Sequence, residues 1–204
     1  MKFAHFSGSI KLPLLFIGKS ENPIWMNDTN RNEYTYYHSE NAWMTNRIFR
    51  QWFLEVYVPI VSSTLQSQGL PNSSICFVDN FSGHGSNMAS PDGNHVILYL
   101  PPNTTSLIQP LDQEIICCLK RGYESITWEE SLRSRTEDSP THFDFLKRIK
   151  PSWAVISLGK AWNDMTNQVI QHGWGNLLGP YLSAAGFALD DEVKEAEADP
   201  PDEV

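Results

Sequence analysis

The chain has 204 residues, 41% hydrophobic and 12% aromatic, enough to bury the core of one moderate domain without requiring two. No run approaches the roughly 18 uninterrupted apolar residues of a membrane span, and the opening MKFAHFSGSIKLPLLFIGKS is too broken by polar residues and Pro13 for a secretory leader, so a soluble intracellular protein is expected. Of the formal charge of −9, residues 189–204 (LDDEVKEAEADPPDEV) carry −7, which leaves −2 on the body: no general basic footprint for nucleic acid, but room for a local basic face.

In chain order, KFAHFS, a Gly-Ser turn and KLPLLFIGK predict two strands in a hairpin, the second largely buried because its apolar run is nearly continuous. Residues 20–40 read as a polar loop with a short extra strand at YTYY. From Thr45, a capping residue, the spacing of Ile48, Phe49, Trp52, Phe53, Val56 and Ile60 predicts a helix with one buried face. Pro59 lies inside that pattern and predicts a kink or a break. SICFVDN and HVILYLPP read as short strands, and NTTSLIQPLDQ leads to a helix with Pro110 near its first turn and Ile115, Ile116, Leu119 and Tyr123 on its buried side. A second helical region runs roughly from Trp153 to Trp174, and the acidic end, poor in large apolar groups, predicts a disordered tail over 181–204. Cys76, Cys117 and Cys118 form no CxxC pair, which argues against a zinc site or a disulfide framework and for core thiols.

The element order suggests a mixed sheet flanked by helices. Two acids stand at informative places: Asp79 just after the SICFV strand and Asp112 after the HVILYLPP strand. If those strands are parallel neighbours, their carboxyl ends meet and the acids converge; such a pair suits Mg²⁺ with its hard oxygen ligands. The same positions also suit ordinary turn chemistry for Asp79 and a helix-dipole contact for Asp112. His84 reads either as a phosphate or water contact or as an incidental loop residue. Glu114 is expected to point away from Asp112, and Lys19, Lys120 and Arg121 are candidate phosphate contacts whose default is a solvated surface.

KLPLLFIGKS, NAWMT with the helix after it, FVDN with His84, LPPNTTSLIQPLDQ and the late KAWNDMT together resemble the DDE superfamily endonuclease domain of pogo, Tigger and Jerky-like transposases, over about residues 8–175. The resemblance implies an α/β, RNase H-like mixed sheet flanked by helices over residues 1–180, and three acids that bind two Mg²⁺ ions to cut and join DNA. Asp79 and Asp112, 33 residues apart, correspond to the second and third acids, with Asn80 and His84 as accessories. The first acid belongs to an Asp-Glu-Thr motif on the opening strand, and residues 1–10 hold no Asp or Glu; Asp28 follows the KLPLLFIGKS strand and does not correspond. That opening strand lies centrally in such a sheet, so an incomplete sheet is expected, with the FVDN strand short of a neighbour. The helix-turn-helix modules of that family are likewise not expected of this chain.

Three functions compete. One is a transposase-derived, nuclear module of nucleic-acid-binding ancestry that does not cut DNA by itself. Another is an active metal-dependent DNA endonuclease whose missing acid comes from upstream or from another chain. The third is a protein-interaction scaffold or decayed relic whose acidic tail meets a basic partner.

Overall fold

The computed structural model describes residues 5, 7, 8, 10–30, 33–136 and 141–184. The KFAHFS strand, and so the hairpin, lies mostly outside them, as does the acidic segment 189–204 wholly. KLPLLFIGK contributes β1 (Leu14–Gly18), whose described partner is β2 (Tyr34–His38), drawn from the YTYY stretch. The two run parallel, Leu14 opposite Tyr34 through Gly18 opposite His38. Parallel pairing needs a crossover, and residues 19–33 supply it with a 3-10 turn at Ile24–Asp28.

Successive strand residues face opposite sides, which explains the unbroken apolar run of β1. Leu15 joins a core with Phe49, Trp52 and Phe53, while Leu14 joins a second core with Ile115, Trp162 and Ile170. The strand is thus a partition between two hydrophobic bodies and has no solvent face to leave polar.

The helix after Thr45 begins as predicted: the Thr45 hydroxyl accepts from the Ile48 N–H at 3.3 Å. From α1 (Asn46–Trp52) the chain continues through a π turn at Phe53–Tyr57 into α2 (Val58–Ser67). No break occurs at Pro59. The Val58 N–H reaches the Phe53 carbonyl, and this wider turn, set just before Pro59, accommodates a residue that has no N–H to give and whose ring crowds the preceding turn. Phe49, Trp52 and Phe53 are fully buried, and each side chain removed from water contributes about 2–3 kcal/mol.

SICFV and HVILY form β3 (Ser74–Val78) and β4 (His95–Tyr99), parallel with Ser74 opposite His95 and Val78 opposite Tyr99. Among the described residues the sheet is therefore two separate parallel pairs, β1 with β2 and β3 with β4, and not one mixed sheet. No described strand lies between β1 and β3 to join them. The far edge of β4 is closed by the Met88–Ser90 segment, through Ser90 N–H to His95 C=O at 2.8 Å and Ile97 N–H to Met88 C=O at 3.0 Å. His95 is fully buried, with its ring nitrogens at 2.9 Å from the Ser62 hydroxyl and 2.8 Å from the Ser74 hydroxyl, and so ties α2 to both strands.

The rest is helical: α3 (Thr105–Ile108), α4 (Ile115–Arg133), α5 (His142–Arg148), α6 (Pro151–Asp164), α7 (Asn167–Gly173) and α8 (Gly175–Ala184). The helical region predicted over Trp153–Trp174 is interrupted after Asp164, where Thr166 caps α7 by accepting from the Val169 N–H at 3.4 Å. Ile115 and Leu119 are buried as predicted, whereas Ile116 and Tyr123 are half-buried. Of the three thiols Cys76 is buried in the first core, Cys118 is half-buried against the second, and Cys117 is exposed.

The segment before β1 is fastened to the far end of the chain. Lys11 Nζ donates to the carbonyls of Trp162, Asn163 and Met165 at 3.1, 2.7 and 2.9 Å, and Trp162 Nε1 donates to the Leu12 carbonyl at 2.9 Å. A cation on the unsatisfied carbonyls at the end of α6 is favourable by hydrogen bonding and by the helix dipole. Lys11→Met is expected to lower stability by about 1–2 kcal/mol, read from the urea midpoint at unchanged slope; a shift of a few tenths would show that the carbonyls find water just as well.

Candidate functional site

Asp79 follows the last residue of β3, where the strand has delivered it to the carboxyl end of the β3–β4 pair. Its Oδ1 accepts from the Phe81 N–H at 3.3 Å, which is the turn role its position allows. The same oxygen lies 2.7 Å from Nδ1 of His84. A carboxylate oxygen accepts only, so Nδ1 carries the proton of that contact. His84 is not an incidental loop residue: it is buried, with its ring 4.7 Å from that of Phe49 and edge-on to Phe81 at 5.5 Å. Its carbonyl accepts from the Tyr99 hydroxyl at 3.1 Å, which ties the loop to the end of β4. Gly83 lets the loop approach the segment just before α1 closely, since a Cβ there would stand 2.9 Å from the Met44 carbonyl. Asn80 is exposed.

Asp112 does not occupy the first turn of the following helix. It ends a separate 3-10 turn, Pro110–Asp112, and α4 starts only at Ile115, after Glu114 at a φ of 63° has turned the chain. A helix dipole therefore gives no account of this acid. The turn is fixed by contacts from afar: Gln113 Nε2 donates to the Ser106 carbonyl at 2.8 Å, and Asn176 Nδ2 donates to Gln113 Oε1 at 2.7 Å and to the Leu107 carbonyl at 3.2 Å. Gly173 is the close-packing residue behind it, because a Cβ there would meet Ile115 Cδ1 at 2.6 Å and the Pro110 carbonyl at 2.9 Å. Glu114, as expected, is turned elsewhere and pairs with His172 at 3.1 Å.

The two acids feel one another. The Asp112 carboxyl is raised above the usual carboxylate range, first by partial burial and second by the charge of Asp79. Two like charges gathered at the end of a strand pair are the arrangement a divalent cation relieves, and carboxylate oxygens are the donors that Mg²⁺ prefers. Of the oxygen donors such an ion would take, Asp79 Oδ1 is engaged by His84 and Phe81, and Asp112 is exposed. Among the described residues no group of three or more His, Cys, Asp or Glu is placed to hold a metal ion. Lys19, Lys120 and Arg121 are all exposed.

What sequence reasoning missed is the fastening: the Gln113–Asn176 link, the His84–Asp79 contact and the close approach at Gly173. The Asp79-to-His84 spacing signals the second only in hindsight, and nothing local signals the other two. Because the folded-state pKa of Asp112 is raised, the folded form binds its proton more tightly, and stability contributed by this group is present below the unfolded-state value and lost as pH rises above it. Asp112→Asn is thus expected to raise the melting temperature slightly at neutral pH, with the gain fading below about pH 4; a variant less stable than the parent at neutral pH would show that Asp112 is engaged in something favourable.

The chain as a whole resembles known proteins. Residues 2–174 match the family model described as DDE superfamily endonuclease. The chain is 29% identical over 188 residues to human Tigger transposable element-derived protein 7, covering 86% of this chain and 34% of that protein. It is 27% identical to the mouse Jerky protein, over 94% of this chain and 32% of that one, and 27% identical to the human Jerky protein homolog, over 97% and 34%. It thus spans about a third of the length of these relatives. No solved structure matches it significantly. With nearly the whole described chain matched and both carboxylates inside the match, the chain belongs to the DDE superfamily endonuclease family, in the company of Tigger- and Jerky-type transposon-derived proteins.

Proposed function

We propose that this chain is a transposase-derived, RNase H-like module that keeps a weak site for one divalent cation at Asp79 and Asp112, touches nucleic acid, and does not cleave DNA by itself. What supports the reading is that Asp79 follows β3 at the carboxyl end of the parallel pair and that its charge, after burial, adds to the upward shift of the Asp112 carboxyl. In-line phosphoryl displacement by two ions needs more oxygen donors than two carboxylates offer. Bound there, one Mg²⁺ supplies charge to a phosphate oxygen. The chain's own part is to hold Asp79 by His84, to fix the turn that carries Asp112 through Gln113 on the Ser106 carbonyl, and to offer Asn80 as an exposed polar group next to Asp79. Lys19, Lys120 and Arg121 are the proposed phosphate contacts, and a nuclear location follows from a DNA-facing role. No described helix is long and apolar enough to cross a membrane.

A second reading has one observation in its favour. The relatives are about three times as long as this chain, so a third acid from elsewhere in a longer polypeptide, or from another chain, is compatible with their architecture. On that reading Asp79 and Asp112 are catalytic, and the module is one part of a metal-dependent endonuclease.

Two experiments separate these readings. Supercoiled plasmid incubated with the isolated protein and Mg²⁺ or Mn²⁺ is expected to stay intact; nicking that disappears in Asp79→Ala and Asp112→Ala variants would overturn the first reading. Mg²⁺ titrated into the parent protein is expected to raise its melting temperature, and that rise is expected to vanish in Asp79→Asn and Asp112→Asn, because binding to the folded form alone stabilises it by mass action. An equal rise in all three proteins would remove the cation site.

A further inference from the structure

Two large rings stand in water beside Asp79. Trp43 is 68% exposed and Phe81 39% exposed, although each would gain by burial. Phe81 comes two residues after Asp79, with its N–H on the Asp79 carboxylate at 3.3 Å and its ring edge-on to that of His84. Trp43 reaches the same place from the loop between β2 and α1. A Cβ on Gly83 would stand 2.3 Å from Phe81 Cε1 and 2.9 Å from the Met44 carbonyl, so the residue after Trp43 packs against the loop that carries Asp79, Phe81 and His84.

The backbone under Trp43 is clamped. The Ser39 hydroxyl accepts from the Trp43 N–H at 2.9 Å and donates to the Trp43 carbonyl at 2.7 Å, and the Ser39 N–H is bonded to the Gly18 carbonyl at the end of β1. That last bond also sets the start of the loop beside the exposed Lys19. Rings on a fixed backbone lose little freedom when a partner covers them, so their exposure is a surface already shaped for contact.

We propose that Trp43 and Phe81 form a stacking platform for unpaired nucleobases, so that the chain takes single-stranded nucleic acid beside Asp79 and Asp112 in preference to intact duplex. This deepens the nucleic-acid contact proposed above and rests on it. Affinity for duplex comes mainly from cations that displace counterions along the phosphates. Here the body carries a net charge of −2, and the exposed Glu21 and Glu40 share the loops of Lys19 and Trp43. A ring face holds a base without net charge, and the bases of a duplex give their faces to one another. An apolar peptide laid on the rings would strip water from the neighbouring carboxylate and return nothing, whereas a nucleotide brings a phosphate that a cation on the acids can meet.

The test titrates the full 204-residue chain, with Mg²⁺ present, into fluorescently labelled oligothymidylate, a duplex of the same length and an abasic strand of that length, and reads anisotropy. Oligothymidylate is expected to bind at least about tenfold more tightly than the duplex or the abasic strand, and Trp43→Ala and Phe81→Ala are each expected to weaken it about fivefold or more. Trp43→Tyr, which keeps a ring, is expected to retain most of the affinity. On the abasic strand Trp43→Ala is expected to change nothing, a result that general loss of packing would not give. Equal loss on both single strands, no loss on oligothymidylate, or duplex bound as tightly as oligothymidylate overturns the proposal and leaves nucleic-acid contact standing. Absence of binding to all three probes overturns the nucleic-acid reading and this proposal with it.

Discussion

Everything at the candidate site depends on the parallel pairing of β3 with β4. Parallel strands share a direction, so the residues that leave them emerge on the same side of the pair, and Asp79 follows one strand directly while the loop to Asp112 leaves the other. Antiparallel pairing of the same two segments would send the acids to opposite ends. The same phase of hydrogen bonding that aligns the strands also decides which main-chain groups of β3 point away from β4.

The pairing is held by groups distributed over the whole chain. His95, buried among hydroxyls from α2 and β3, fixes where β4 starts relative to its neighbours. Burial of such a ring is tolerable only because both nitrogens find partners. The rings of α1 and the π turn cover one side of β3, and Phe77 meets Trp174 edge-on at 5.9 Å, which brings the last helices against the same strand. Lys11 and Trp162 then close the circle by tying the segment before β1 to the end of α6.

The acids themselves run against stability. Burial raises the pKa of Asp112 and the charge of Asp79 adds to it, so both desolvation and repulsion are accepted there at neutral pH. Proteins concentrate such unfavourable pairs where a ligand relieves them, although structural networks produce them too. Around this pair the surroundings are over-determined: an imidazole wedged between two aromatic rings for Asp79, and a doubly fastened amide side chain behind Asp112. Rigid support for two mutually repelling groups is a stronger indication of a site than either group alone.

Local sequence determined the elements with local causes. Thr45 capping a helix, the buried stripe from Ile48 to Phe53, and the short β-branched and aromatic runs of β3 and β4 all follow from periodicity and from which residues can donate or cap, whereas Pro110, expected near the first turn of the next helix, stands in a separate 3-10 turn before it. Asp79 and Asp112 stand out in the sequence by their places after two strands. The parallel pairing of KLPLLFIGK with YTYYH was not legible, since an apolar run buried on both faces carries no alternation to dictate a partner. Pro59 broke nothing because a π turn just before it changed the hydrogen-bond spacing, a solution available only within a packed helix. The fastening of Asp112 by Asn176 and the partner of His84 depend on where distant segments come to rest. The sequence by itself thus determined which residues bear charge and where strands and helices start; only the tertiary structure decided which of them meet, because meeting is fixed by side-chain volumes and unsatisfied main-chain groups brought together across the whole chain.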